Sequence, residues 1–333
     1  MSAEKTIMER MERRRRANIN LVGLASRYGT VVAAVIIFVA FATLSDKFMS
    51  FNNVSNVLVQ ISVLMITSSG LTIAVASGEF DLSVGEVASL SSMLVAGLIV
   101  WNGRSLPVAI LLPVLAGAAI GAVNGLLVAR LRIPSMIATL AMGPIALGLN
   151  YAYDGGDSIY APMPDNFYYI ATGRLFSVVP VPIVIALTIV MIFYVLLNWT
   201  RLGRTIVATG SNIQASRLSG IAVNRARQIA LTCSGVGAAL GGVLLTARLG
   251  TGQPGAGEPY LMDPLTAVFL GMTTFKPGRA TVQGTLVGVF IIGMLDNGLS
   301  LMGAPFYAQN IVRGIVMIAA VSFAVLRGEM RLF

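Results

Sequence analysis

Residues 107–128 read P-V-A-I-L-L-P-V-L-A-G-A-A-I-G-A-V-N-G-L-L-V, an apolar run without one charged side chain. At about 1.5 Å of rise per residue, such a run is as long as a bilayer's hydrocarbon core, which is about 30 Å thick and takes about 20 helical residues to cross. Runs of the same kind recur at 28–44, 54–76, 84–101, 134–150, 179–197, 229–247, 260–275, 282–299 and 309–326. Together these segments predict an all-α polytopic membrane protein with about ten transmembrane helices, because a spanning helix satisfies its backbone N–H and C=O groups internally. Composition agrees: 11% of the residues are charged, against about 25% in a soluble domain, and such a chain could not cover its own surface in water.

The formal net charge of +9 raises nucleic acid as a partner, since Lys and Arg neutralise phosphates. The distribution argues against it. The basic residues sit in short stretches between apolar runs, the pattern that orients a membrane protein with its positive loops inside. With the N-terminus in the cytoplasm, eighteen of the 23 Lys and Arg residues fall on that side, among them Arg13 to Arg16, Arg130, Arg132 and five arginines between 200 and 228. Lys47, Arg104, Arg174 and Arg248 fall outside, and Arg313 lies within a span, near enough to its end to snorkel to the surface. Both termini are therefore expected in the cytoplasm, as an uncleaved tail 1–27 and a tail 327–333 flanking a membrane domain 28–326.

One segment is weak. Asp263, Pro264 and Gly271 interrupt 260–275, so a short, broken or re-entrant helix is expected there, tolerable where its freed backbone groups face protein or water. Catalytic classes fare poorly. The chain has no histidine and a single cysteine, Cys233, which removes intrachain disulfides and the commonest zinc ligand and general base. Cys233 reads as a small packing residue. There is no glycine loop followed by Lys and Ser or Thr of the Walker type, so the chain is expected to bind no cofactor of its own, and any ATP energy must enter through a partner.

Two polar stretches could carry function. Residues 76–86, A-S-G-E-F-D-L-S-V-G-E, place Asp81 and Ser83 at the start of a span, either as caps of that helix or in contact with a solute; the alternative is an ordinary cytoplasmic turn. A similar short turn, G-R-A-T-V-Q-G at 278–284, hints at internal duplication. Residues 201–221 pair Ser211 with Gln214 in a capping-box pattern and place Gly220 where a helix stops. They predict a short helix outside the membrane, either a docking element or a basic anchor. Gln60, Asn124, Asn150, Asp296 and Asn297, with Asp81 and Ser83, are candidates to line a pathway for a neutral polyhydroxylated solute, and each could equally bond a neighbouring helix. Gly125, Gly284 and Gly288 are expected to let helix backbones approach closely.

The stretch at 78–85 is followed in order by V-N-G-L-L-V-A-R-L-R-I-P at 123–134, Thr139 with Leu140, G-R-T-I-V-A-T-G-S-N-I-Q-A-S-R-L-S-G-I at 203–221 and L-G-M-T-T-F-K-P-G-R-A-T-V-Q-G-T-L-V-G at 270–288. In this combination, which covers nearly the whole chain, the protein resembles the ribose-type permeases of bacterial ABC importers. The resemblance implies an inner-membrane location and a second permease subunit, identical or similar. It also implies a cytoplasmic ATP-binding subunit that holds ATP and Mg, and a periplasmic binding protein that delivers a monosaccharide. It makes 200–228 a cytoplasmic coupling loop, with Gly203, Arg204, Gly210, Ser211, Asn212, Gln214, Ala215, Arg217, Ser219 and Gly220 as the coupling residues. On that reading a bulky residue at Gly210 should leave folding intact while uncoupling the ATPase. The competing function is an ion-coupled secondary transporter, which would be expected to place titratable relays in its spans; few carboxylates and no histidine are found there.

Overall fold

Long apolar stretches free of charge leave the backbone one way to satisfy itself in lipid, and the chain takes it. The computed structural model describes residues 30–160, 162–275 and 278–326. The tails 1–27 and 327–333 and residues Lys276 and Pro277 lie outside the described residues. The first half comprises α1 (Thr30–Leu44), α2 (Phe51–Ala76), α3 (Val84–Val100), α4 (Leu106–Ala129), α5 (Ser135–Asp154) and α6 (Asp165–Thr172). A two-residue hairpin, β1 (Arg174–Leu175) with β2 (Val179–Pro180), leads into α7 (Val181–Trp199). Then follow α8 (Arg201–Ser211), α9 (Ile213–Leu218), α10 (Val223–Leu249), α11 (Pro259–Met272), α12 (Val282–Leu301) and α13 (Phe306–Leu326).

Among the described residues each of the ten apolar segments overlaps a helix, and six helices, α2, α4, α5, α7, α10 and α12, are long and apolar enough to cross a membrane. Boundaries shift where polar groups can still be paired. The Ser50 hydroxyl accepts the Asn53 amide and starts α2 at Phe51 instead of 54. Similarly, α10 begins at Val223 rather than 229, carrying Arg225 and Arg227 inside the helix. The weak segment is a 14-residue helix, α11, about 21 Å long at 1.5 Å per residue. Its break lies at Tyr260 (φ −79°, ψ 17°) rather than at Asp263–Pro264. Pro264 lacks only the donor that would have reached the carbonyl four residues back, and that carbonyl belongs to the kinked Tyr260.

The centre of the bundle is α10, packed on α4, α2 and α3. Glycines make this possible. A Cβ on Gly125 of α4 would lie 2.7 Å from the Gln228 Cα, and one on Gly121 would lie 2.9 Å from the Thr232 Cα, so α4 and α10 meet backbone to backbone. Gly284 and Gly288 of α12 lie equally close against Gly271 and Ala267 of α11. Such approach matters because lipid offers no hydrophobic drive for helices to associate, leaving dispersion and interhelical hydrogen bonds. The Thr72 and Thr285 hydroxyls meet at 2.8 Å between α2 and α12, and the Thr246 hydroxyl donates to the Ser92 carbonyl at 3.0 Å between α10 and α3. Cys233 packs against the main apolar core from α10, in keeping with a packing role.

At the end of the bundle where α5 finishes, the long connection is tied down instead of forming a domain. The Ile159 amide donates to the Gly252 carbonyl (2.8 Å) and the Gly252 amide returns a bond (3.2 Å), while Phe167 of α6 is fully buried.

Candidate functional site

The opposite end carries the polar stretch from 201 to 221. The Thr200 hydroxyl accepts the Gly203 amide at 3.0 Å and starts α8, which buries Gly203, Ile206 and Thr209 and leaves Arg204 exposed. Gly203 sits against the carbonyls of Leu196 and Leu197, the sharp corner by which α8 leaves α7. The predicted Ser211–Gln214 capping box is not formed. Ser211 is the last residue of α8, and its hydroxyl donates back to the Val207 carbonyl at 2.8 Å. Asn212 takes the extended conformation and caps α9, its Oδ1 accepting the Ala215 amide at 2.9 Å. The physical reason is that a cap must occupy the first non-helical position, and α8 does not stop until after Ser211. Gly220 has φ +76°, as the helix stop requires.

Gly210 also differs from expectation. Any Cβ there would sit on the Ala76 carbonyl, with the Gly78 amide at 2.9 Å, so a bulky side chain would push α8 off the turn between α2 and α3. The expectation that folding would be indifferent to that change is therefore corrected. What remains free is α9: Gln214, Ala215, Arg217 and Ser219 are exposed, and Leu218 is 91% exposed. Only Ser216 is buried, its hydroxyl donating to the Ala208 carbonyl at 2.8 Å and holding α9 against α8. Leu218 was missed in the sequence, where one leucine among apolar spans carries no signal. Beside α8 a cavity of about 430 Å³ is lined by Arg204, Ser211, Arg279 and Thr281, joining this element to the turn between α11 and α12.

The turn on which α8 rests is a buried polar knot. Asp81 is 1% exposed, and its Oδ1 accepts both the Ser83 amide (3.0 Å) and the Ser83 hydroxyl (2.6 Å). The Ser83 oxygen in turn accepts the Asn124 side-chain amide at 3.0 Å. Neither Asp81 nor Ser83 caps α3 through its side chain, contrary to the sequence reading, because Ser83 is itself turned into helical backbone (φ −92°, ψ −4°) and Asp81 folds onto it. Ser135 and Thr139 of α5 accept the amides of Phe80 and Leu82 at 3.1 and 2.9 Å. Glu79, buried, pairs with Arg227 of α10. Gly78 (φ +84°) and Gly278 (φ +75°) both make left-handed turns, so the two similar sequence stretches share a backbone device.

The seven pathway candidates thus separate. Asp81, Ser83 and Asn124 form the knot. Asn297 exchanges side-chain hydrogen bonds with Asn53 at 2.8 and 2.9 Å. Asn150 is buried, and neither of its side-chain polar atoms has a partner among the described residues. Gln60 and Asp296 line one cavity of about 360 Å³ between α2, α10, α11, α12 and α13. Arg313 does not snorkel: with α13 beginning at Phe306 it lies two turns inside, its Nε donating to Asp296 at 2.7 Å and standing 3.7 Å from Asp263.

A bundle in which six of the described helices are long and apolar enough to cross a membrane, with a polar element seated on one end and a cavity holding charged side chains toward the other, has the build of a polytopic membrane permease. Comparison with known proteins agrees. Residues 53–321 match the family described as branched-chain amino acid transport system / permease component. The chain is 37% identical to the ribose import permease protein RbsC of Escherichia coli (strain K12) over 88% of this chain and 91% of the relative. It is also 37% identical to the RbsC of Bacillus subtilis (strain 168) over 91% and 94%, and 32% identical to the L-arabinose transport system permease protein AraH of E. coli (strain K12) over 89% and 90%. No solved structure matches the chain. The chain belongs to this permease-component family, as a multi-pass protein of the bacterial inner membrane.

Proposed function

We propose that this chain is the membrane-spanning permease subunit of a binding-protein-dependent ABC importer that moves a monosaccharide into the cytoplasm. The observation that carries the reading is the match along nearly the full length to relatives named for ribose, L-arabinose and D-allose transport. The family description speaks of branched-chain amino acids; the sugar reading is preferred because the relatives at 32–37% identity carry sugar names.

The finer reading is ten membrane crossings with both termini cytoplasmic. Contacts within each end of the bundle support it. The Thr30 and Thr273 hydroxyls meet at 2.6 Å, Gly78 abuts Gly210, and Arg279 shares a cavity with Arg204. At the other end Arg174 lies over the Phe51 ring at 5.6 Å and Ile159 pairs with Gly252. The first end holds the positive loops, which supports a cytoplasmic placement for it. There α8 and α9, within the loop 200–228, meet an ATP-binding subunit that carries ATP and Mg, while this chain carries no ATPase site. A periplasmic binding protein loads the other end, and a second permease subunit completes the pathway.

In cells, deleting the chain should abolish uptake of D-ribose, L-arabinose or D-allose, and parental uptake should survive collapse of the proton gradient so long as ATP is held up. Uptake that follows the gradient and ignores ATP would sustain the secondary-transporter reading instead.

A further inference from the structure

We infer that the cavity between α2, α10, α11, α12 and α13 is a solute-holding subsite, in which Arg313 and Arg248 donate to hydroxyls, Asp296 and Asp263 accept from them, and Tyr260 and Phe306 flank the sugar ring. This rests on the sugar-permease reading and locates the place in this chain where the solute pauses. Three observations carry it.

The first is stoichiometry. Two carboxylates and two guanidiniums line one cavity, so the site is formally neutral and holds no net charge to bind an ion. Each hydroxyl of a neutral polyol donates one hydrogen bond and can accept two, so its site must offer both kinds of partner, and a carboxylate supplies only acceptors while a guanidinium supplies only donors. The second is incomplete pairing. Arg313 spends its Nε on Asp296 (2.7 Å) and on a loose approach to Asp263 (3.7 Å), and one Nη makes only a 3.5 Å contact with Asn310. The half-buried Gln60 side chain lines the same cavity. An ion pair serving only to join helices in lipid would close on itself, since each unpaired polar group there is costly; this one opens into a cavity. The third is shape. About 360 Å³ lies in the usual range for small-molecule pockets, roughly 300–1,000 Å³, and the flanking rings of Tyr260 and Phe306 suit the C–H faces of a pyranose or furanose. Tyr260 stands at the kink of α11, which brings Asp263 to the cavity one turn later.

The test uses the full complex, the permease with its ATP-binding subunit and binding protein, in nanodiscs and proteoliposomes. With Cys233→Ser as background, Ala256→Cys places a thiol on the cavity wall. D-ribose, L-arabinose or D-allose, whichever the parent carries, should slow its labelling by a small methanethiosulfonate, and L-leucine should not. Asp296→Asn and Phe306→Ala should each lower maximal uptake about tenfold, the loss of one charge-assisted hydrogen bond or its equivalent in packing. Membrane abundance and ATPase association should stay at parental levels. Asp296→Asn should also bring the uptake ratio of the sugar to its 2-deoxy counterpart toward one, which a purely structural ion pair would not do. If Asp296→Asn fails to fold, thiol protection and Phe306→Ala still decide. A parent that carries none of the three sugars overturns the function and the subsite together. A parent that carries one, with no thiol protection and an unchanged deoxy ratio, overturns the subsite alone.

Discussion

Leu218→Asp separates a docking face from a mere charge anchor. Leu218 ends α9 with 91% of its surface exposed, and it touches none of the apolar clusters. Its replacement should therefore change the stability of the permease itself by no more than about 0.5 kcal/mol, the usual scale for a surface site. If α9 seats in a groove on an ATP-binding subunit, the leucine becomes buried there, and burial of such a side chain contributes about 1.5–3 kcal/mol. At 1.4 kcal/mol per decade the complex should weaken roughly tenfold to a hundredfold, with a further loss from desolvating the new carboxylate. Membrane abundance and thermal unfolding of the permease alone report the first number. Titration of the ATP-binding subunit against permease in nanodiscs reports the second, and sugar-stimulated ATP hydrolysis should fall with it. Parental affinity in a well-folded Leu218→Asp permease would refute the docking role of α9.

Gly210→Val should behave oppositely, lowering the stability of the permease by about 1–3 kcal/mol, because its Cβ lands on the Ala76 backbone; unchanged unfolding would mean that α8 does not rest on the turn. Asp81→Ala strands the buried Ser83 amide and hydroxyl and should cost about 1–3 kcal/mol per group, while Asp81→Asn keeps an acceptor and should retain more transport. Equal uptake by the two variants would remove the knot from the mechanism. Glu79→Gln leaves Arg227 without its charged partner and should destabilise the fold more than the double change Glu79→Gln with Arg227→Gln; additive losses in that cycle would show that the pair does not interact.

Much of this was legible because apolarity over about 20 residues is a local property. The ten helical segments and the close approach at Gly125, Gly284 and Gly288 could be read from residues near one another in the chain. The cap of α9 could not, since choosing Asn212 over Ser211 requires knowing where α8 stops, and boundaries shift by a turn when a neighbouring element accepts the freed groups. Nor could the cavity be read. Asp263, Asp296 and Arg313 come from three helices, and no spacing in the sequence brings them together; the available signal was that charges survive in three consecutive apolar segments, where they are costly unless paired. Taken alone, Arg313 reads as a residue near a span end. Glu79 and Arg227, far apart in sequence, escaped for the same reason.

The central claim is that ATP bound by another chain drives a sugar through this one. Its most direct test is uptake into proteoliposomes that hold the permease with its ATP-binding subunit, with sugar-loaded binding protein outside and MgATP sealed inside. The account predicts accumulation of radiolabelled sugar against its gradient with MgATP, and none with a non-hydrolysable analogue or without the binding protein. Accumulation by the permease alone under a proton or sodium gradient, with no ATP-binding subunit present, would contradict it.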